Sequence, residues 1–335
     1  MKKRPAMTSR DLGLEFAALC GKHFIGLEHL HYGYWPEGLP VNVSNVHIAQ
    51  ENYTNFLVSH IPSGVRTILD VGCGAGHTSK RLVDMGYKVA CVSPSPVLSG
   101  RVRELMGDAC HVFECKYEDL QTEDRYDLVL FSESFQYIKM QKAMAKTFEL
   151  LNPAGYMLIC DIFRKDVEAT PDAKSVGGGY LLSRFYKHIA SHPFKLVEDV
   201  DITDQTTPNL DLMEDAMKNV VRPIIDSSLN FLAGRYPLMS KVIRWLYRKR
   251  INKVYQKYFN GDRAGEDFSK FKSYRLFLYR STCAVPAEDS AAISPRVGGQ
   301  TTSPVALPTL RLCPMAMAGS MQPSSRLRGN GQRLA

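Results

Sequence analysis

Thr67-Ile68-Leu69-Asp70-Val71-Gly72-Cys73-Gly74-Ala75-Gly76 decides the fold. A short apolar run carrying one carboxylate reads as a buried strand, and the alternating glycines after it read as a turn into a helical stretch ending at Met85. The same rhythm continues outward. Strands are predicted at Lys88–Val92, His111–Cys115, Tyr126–Phe131 and Gly155–Asp161, with helices from about Pro96 to Met106 and from about Gln141 to Leu151. Strands separated by helices in this way predict an α/β fold with a doubly wound, mostly parallel sheet. In such sheets ligands lie beyond the carboxyl ends of the strands, where Asp70, Gly72, Ser93, Glu133 and Asp161 are expected.

The chain has 335 residues, 44% hydrophobic and 23% charged, which excludes collagen-like, coiled-coil and wholly disordered readings. No run approaches the roughly 18 apolar residues of a membrane span, and Lys2, Lys3 and Arg4 have no apolar stretch behind them, so a cytoplasmic location is expected. Eight cysteines are scattered without a Cys-x-x-Cys pair or a Cys/His cluster, which points to free thiols and away from a metal site. The net charge of +8 is local. Eight basic residues and no acidic one lie between Asp226 and Asp262, and five arginines lie in the 284–335 tail; without these two stretches the chain carries 29 basic and 32 acidic residues. That tail has no aromatic residue and no lysine, so it is expected to be disordered.

The glycine turn admits two cofactor chemistries. A dinucleotide site uses G-x-G-x-x-G to bring backbone against a pyrophosphate. Here the spacing is Gly72-x-Gly74-x-Gly76, and the carboxylate of Asp70 precedes it. Negative charge beside a turn suits the sulfonium and ammonium of a methionine moiety better than phosphates, which favours S-adenosylmethionine over NAD.

In combination, Leu69-Asp70-Val71-Gly72-Cys73-Gly74-Ala75-Gly76, Tyr126-Asp127-Leu128-Val129 and Leu151-Asn152-Pro153-Ala154-Gly155-Tyr156 resemble the motifs of class I S-adenosylmethionine-dependent methyltransferases over roughly Val65 to Asp161. The resemblance implies a Rossmann-like, seven-stranded sheet whose last two strands are antiparallel, here Phe194–Val200 and Tyr274–Arg280. It also implies that Asp70, Gly72, Cys73, Gly74 and Gly76 hold the amino acid part of the cofactor, with Ser93, Tyr117, Glu118 and Ser132 completing its site. Two positions depart from the family. Val92-Ser93-Pro94 lacks the usual ribose-binding acid after the second strand, and Lys116 stands near the place of the usual acid after the third.

His29-Leu30-His31-Tyr32-Gly33-Tyr34-Trp35 packs two imidazoles and three aromatics into seven residues. One reading is a packed N-terminal cap. The other is similarity to the lid of methyltransferases acting on lipophilic substrates, the tocopherol, sterol and cyclopropane-fatty-acid relatives, which also carry a neutral residue at the position of Ser93. This reading makes Tyr32, Tyr34 and Trp35 cofactor and lid residues, since aromatic faces attract a sulfonium. After the fourth strand, Ser132-Glu133-Ser134-Phe135 lacks the Asp/Asn-Pro-Pro-aromatic motif of amino-directed nucleic-acid methyltransferases, so nucleic acid is not the expected partner. Methyl transfer needs a base only when the acceptor keeps a proton, and Glu133, His31 and His47 are the candidates.

The expected organisation is a cap or lid at 1–62, a methyltransferase domain at 63–283 with a helical insertion at 201–272, and the tail. Within the insertion Pro237 can start a helix on which Ile243, Tyr247, Ile251, Val254 and Tyr258 form one stripe flanked by basic residues. That pattern is a solvated basic face, or a peripheral membrane contact through 235–258, or, as a third reading, a nucleic-acid contact. The activity expected is O- or C-methylation of a small lipophilic natural product or lipid. The alternatives are a non-enzymatic cofactor-binding scaffold and an NAD-dependent oxidoreductase.

Overall fold

The computed structural model describes residues 29–167, 178–242, 245–249 and 265–282. Residues 1–28 of the expected cap, the 284–335 tail, and Ile243, Ile251, Val254 and Tyr258 of the expected stripe lie outside the described residues.

Helix α1 (Val46–Ser59) precedes the alternating unit β1 (Thr67–Val71), α2 (His77–Asp84), β2 (Lys88–Val92), α3 (Pro96–Met106), β3 (His111–Phe113), β4 (Tyr126–Ser132), α4 (Met140–Leu150) and β5 (Leu151–Arg164). Next come a two-residue β6 (Tyr180–Leu181), α5 (Leu182–Ile189), β7 (Phe194–Asp201), α6 (Thr203–Thr206), α7 (Pro208–Ala216), α8 (Arg222–Arg235), α9 (Gly265–Phe271) and β8 (Lys272–Ser281). The strand order is β3-β2-β1-β4-β5-β8-β7, with β6 paired to β5. Strands β1 to β5 are parallel, and β8 is antiparallel to both β5 and β7. This is the predicted doubly wound architecture, with the short β6 added to seven long-range strands.

Side-chain alternation along the strands builds a core on each face. Leu69, Val129, Phe131, Met157 and Ile159 point to one side with Phe135, Met144 and Phe185. Their neighbours Ile68, Leu128, Leu130, Leu158 and Cys160 point to the other, where Tyr53 and Leu57 of α1, Leu82 of α2 and Val102 of α3 cover them. The two downstream motifs are joined by Asp127. Its Oδ2 accepts the backbone N–H of Arg66 at 2.9 Å and of Thr67 at 3.0 Å, and its Oδ1 accepts Asn152 Nδ2 at 2.7 Å. One carboxylate thus aligns the entries of β1, β4 and β5.

Several boundaries differ from expectation, those of β3 and β5 among them. β3 ends at Phe113, two residues early, because its pairing with β2 stops where β2 stops. β5 runs on to Arg164 because β8 pairs with it along its whole second half, as far as Arg164 opposite Lys272. Asp161 therefore sits inside the strand, not at its end. The described part of the 201–272 insertion is mainly helical, and residue 237 does begin a helical stretch.

Candidate active site

The turn after β1 has Gly72, Gly74 and Gly76 at φ of 80°, 57° and 91°, in the region that favours glycine. A Cβ at Gly72 would fall 2.5 Å from Ser134 Cβ, so the turn is pressed against the residue following Glu133. Among the described residues Gly74 is open, with only Leu30 Cδ1 within reach at 3.8 Å. Asp70 is buried and accepts Ser79 Oγ at 2.5 Å, which ties α2 to β1. Burial raises its pKa to about 6, against the opposing effect of the Ser79 bond. Cys73 is also buried.

The start of the 29–35 segment lies against this turn, and its later residues pack on α1 and the 205–209 stretch. Leu30 reaches Gly74, and the His29 ring lies 5.6 Å from that of His77, the first residue of α2. The Tyr32 N–H donates to Glu133 Oε1 at 2.8 Å, the Tyr34 N–H to Ala49 O at 2.7 Å, and the Trp35 N–H to Gln205 O at 2.9 Å. Asn209 clamps Gly33 from both sides: its Oδ1 accepts the Gly33 N–H at 2.9 Å and its Nδ2 donates to the Gly33 carbonyl at 2.6 Å. A Cβ on Gly33 would lie 2.5 Å from Ala49 Cβ, so only glycine allows this approach. Tyr34 stacks on Phe56, and Trp35 is buried with its Nε1 unpartnered among the described residues.

Glu133 follows β4 at φ 54°, a left-handed conformation that a non-glycine residue holds at a cost of about 1–3 kcal/mol. Its N–H donates to Cys160 O at 2.9 Å. Tyr274 OH lies 2.7 Å from Glu133 Oε1 and 3.1 Å from Tyr53 OH, which in turn lies 3.0 Å from Ser132 Oγ. A phenol has one proton to give, so with Glu133 ionised Tyr274 donates to it and accepts from Tyr53. The residue as a whole is only partly buried, but its carboxyl is enclosed, and burial raises its pKa to about 7 against the bonds from Tyr274 and Tyr32.

The two candidate histidines are not with this carboxylate. His31 Nδ1 lies 2.8 Å from Tyr32 O and its Nε2 3.3 Å from Thr54 Oγ1, so both ring nitrogens are engaged within the protein. Burial, with the neighbouring His29, lowers its pKa to about 3, and it stays neutral as an anchor of the segment. His47 is exposed at the start of α1.

The remaining candidates divide. Ser93 is buried at the end of β2, and its Oγ accepts the Ser95 N–H at 3.3 Å. Tyr117 turns into the core: its ring meets Phe131 edge-on and its hydroxyl lies 2.9 Å from Thr147 Oγ1 of α4. It packs, where a cofactor role was expected. Glu118 beside it is partly buried. Asp161 accepts Gln136 Nε2 at 2.8 Å and the Gln136 N–H at 3.0 Å, so it braces the loop after Glu133. Tyr53, Tyr274 and Asn209 stand around these groups and were not singled out from sequence. A helical periodicity of Ala49, Tyr53 and Leu57 was the available signal for the first.

A parallel sheet with a glycine turn at its switch point, an acid before the turn and a carboxylate across from it defines a nucleotide-cofactor site of the class I methyltransferase architecture. Residues 49–195 match the family described as a methyltransferase domain, so that stretch of the chain is a methyltransferase domain. That match decides between the two cofactors weighed on glycine spacing, against NAD. Malonyl-[acyl-carrier protein] O-methyltransferase of Anoxybacillus flavithermus is 28% identical over 113 residues, 32% of this chain and 44% of that protein. The chain thus spans less than half the length of this curated relative. Among solved structures, a candidate sarcosine dimethylglycine methyltransferase from Galdieria sulphuraria has a TM-score of 0.60 at 18% identity, covering 82% of this chain and 100% of that one. Geranyl diphosphate C-methyltransferase from Streptomyces coelicolor A3(2), solved with S-adenosyl-L-homocysteine, has a TM-score of 0.54 at 17% identity, covering 83% and 100%. At these identities the two structures establish the fold.

The turn fits S-adenosylmethionine. Gly74 leaves backbone approachable, and the Asp70 carboxylate beside the turn is held by one hydroxyl, with no cation, among the bonds described.

Proposed function

We propose that this protein transfers a methyl group from S-adenosylmethionine to an oxygen or carbon of a small lipophilic acceptor, with Glu133 as the base. The observation that carries this reading is the bond between the Tyr32 N–H and Glu133, which joins the segment that begins against the glycine turn to a carboxylate at the end of β4. Gly72, Cys73, Gly74 and Gly76 would hold the methionine end of the cofactor, with Asp70 supplying negative charge and Ser93, Glu118 and Ser132 the neighbouring polar groups. The cofactor supplies an electrophilic methyl carbon, activated by positive sulfur.

The protein's own contribution is alignment, water exclusion and proton removal. The 29–35 segment closes the site. Glu133 would take the acceptor's proton, while the bound cofactor would supply the methyl carbon and leave as the neutral thioether. A base with a pKa of about 7 is ionised in a useful fraction at neutral pH and still has a real proton affinity. Relatives named for a malonyl-carrier and for geranyl diphosphate support an acyl or isoprenoid-like acceptor class.

The test is incubation of the full chain with methyl-labelled donor and lipid extracts, alongside calorimetric titration of the donor. Donor binding with label transfer that is lost in Glu133→Gln is the expected result. Donor binding with no labelled product across broad extracts would replace the enzyme with a cofactor-binding scaffold.

A further inference from the structure

α7, a π-helical turn (Met217–Val221) and α8 follow one another without a break, and residues 237–242 and 245–249 are helical again. The surface that this run presents is unlike the rest of the chain. α1 buries Tyr53 and Leu57, whereas α8 buries no residue. Ile224, Phe231, Leu238, Trp245 and Leu246 are 61%, 71%, 79%, 70% and 60% exposed. Arg235, Lys241, Arg248 and Lys249, interspersed with them in sequence, are exposed too. Residues 227–261 contain eight basic residues and no acidic one.

We propose that this surface docks on an anionic bilayer, lying in the headgroup region. Large apolar side chains gain by entering the headgroup and acyl boundary, Trp245 and Tyr247 suit that boundary, and the basic residues meet lipid phosphates. Among the described residues no helix is long and apolar enough to cross a membrane, so the contact is in-plane. Charge decides against the other occupants. A second copy would set one face of like charge against another across a two-fold axis. Nucleic acid would use the arginines and lysines but leave Phe231, Leu238 and Leu246 without a partner.

The test needs no turnover, so it stands apart from the proposed reaction. The full chain is sedimented with phosphatidylcholine vesicles, with and without phosphatidylserine, at low and high salt. Binding only to the anionic vesicles, weakened by salt, is expected. Arg248→Gln with Lys249→Gln should lower it about 25-fold, about five-fold per charge, with an unchanged circular dichroism spectrum. The vesicle-induced blue shift of tryptophan emission should be lost in Trp245→Phe. Equal binding to both vesicle types, or no binding, overturns the proposal. So does a concentration-dependent rise in mass that shifts Trp245 emission without lipid, which would assign the face to self-association. Retention of duplex DNA in place of vesicles overturns it as well.

Discussion

Tyr274 OH stands 2.7 Å from Glu133 Oε1, bringing the start of β8 to the carboxylate that follows β4 across 141 residues of sequence. The pairing explains how a buried acid remains usable as a base. Burial alone would push Glu133 further up, and the phenol holds it at about 7 by stabilising the ionised form. Tyr274 itself is fully buried, and its pKa is raised well above the ordinary phenol value by burial first and then by the Glu133 charge, so it keeps its proton.

Tyr274→Phe should therefore raise the Glu133 pKa. Losing a hydrogen bond to a charged acceptor is worth about 1.5–3 kcal/mol, which corresponds to a shift of about one unit or somewhat more. Turnover of Tyr274→Phe should be several-fold low at neutral pH and recover in alkali, read as a rightward shift of the pH–rate profile. A uniform loss at every pH would show that the tyrosine only shapes the pocket.

Gly72 and Gly86 make a controlled pair. Both have positive φ, 80° and 93°, but a Cβ at Gly72 would strike Ser134 while one at Gly86 would meet nothing within 4 Å among the described residues. Gly86→Ala should cost only the backbone strain, on the order of 1 kcal/mol. Gly72→Ala adds a clash between β1 and the residue after Glu133, so it should lower Tm by clearly more and abolish donor binding. Thermal melts and calorimetry on both variants check this.

How much of this was legible follows from distance along the chain. The glycine turn, the motifs that hold Asp127 and Asn152, and the place of Glu133 just after β4 could be read because each lies at a strand end within one repeating unit. Tyr53 meets Tyr274 from 221 residues away, and Asn209 meets Gly33 from 176, so no local pattern announces either pair. Tyr117 was read as a cofactor residue from its place after β3, but in the folded chain its ring faces Phe131 and the core. The length of β5, and with it the location of Asp161, depends on β8, which the chain supplies more than a hundred residues later. His31 looked like a base because imidazoles commonly are; enclosure in α1's surface made it neutral.

Asn209→Ala should loosen the lid without touching the sheet. It removes both bonds to the Gly33 backbone, and two lost side-chain bonds are worth on the order of 1–3 kcal/mol. Part of that loss falls on local opening of residues 29–35. Hydrogen exchange of the Gly33 and Tyr34 amides should accelerate, and KM should rise more than kcat falls. Unchanged exchange at these amides would mean that the bonds of Tyr32, Tyr34 and Trp35 hold the segment without Asn209.

Glu133 also leaves a mark on stability. Its folded pKa, about 7, lies above its ordinary value of 4.5, so the folded state binds the proton more tightly than the unfolded chain does. The resulting stabilisation is complete below about pH 4.5 and is lost as pH rises through about 7. Asp70 and Asp161 share this sign, with folded values of about 6 and about 7, while His31 opposes it below its ordinary value of 6.5. Comparing the native protein with Glu133→Gln removes the shared contributions, because glutamine keeps an acceptor for Tyr32 and Tyr274 but does not titrate. The difference in Tm, native minus variant, should grow in favour of the native protein as pH falls from about 8 to about 5. A difference independent of pH in differential scanning calorimetry would place the Glu133 carboxyl at its ordinary pKa and remove the physical basis for its role as a base at neutral pH.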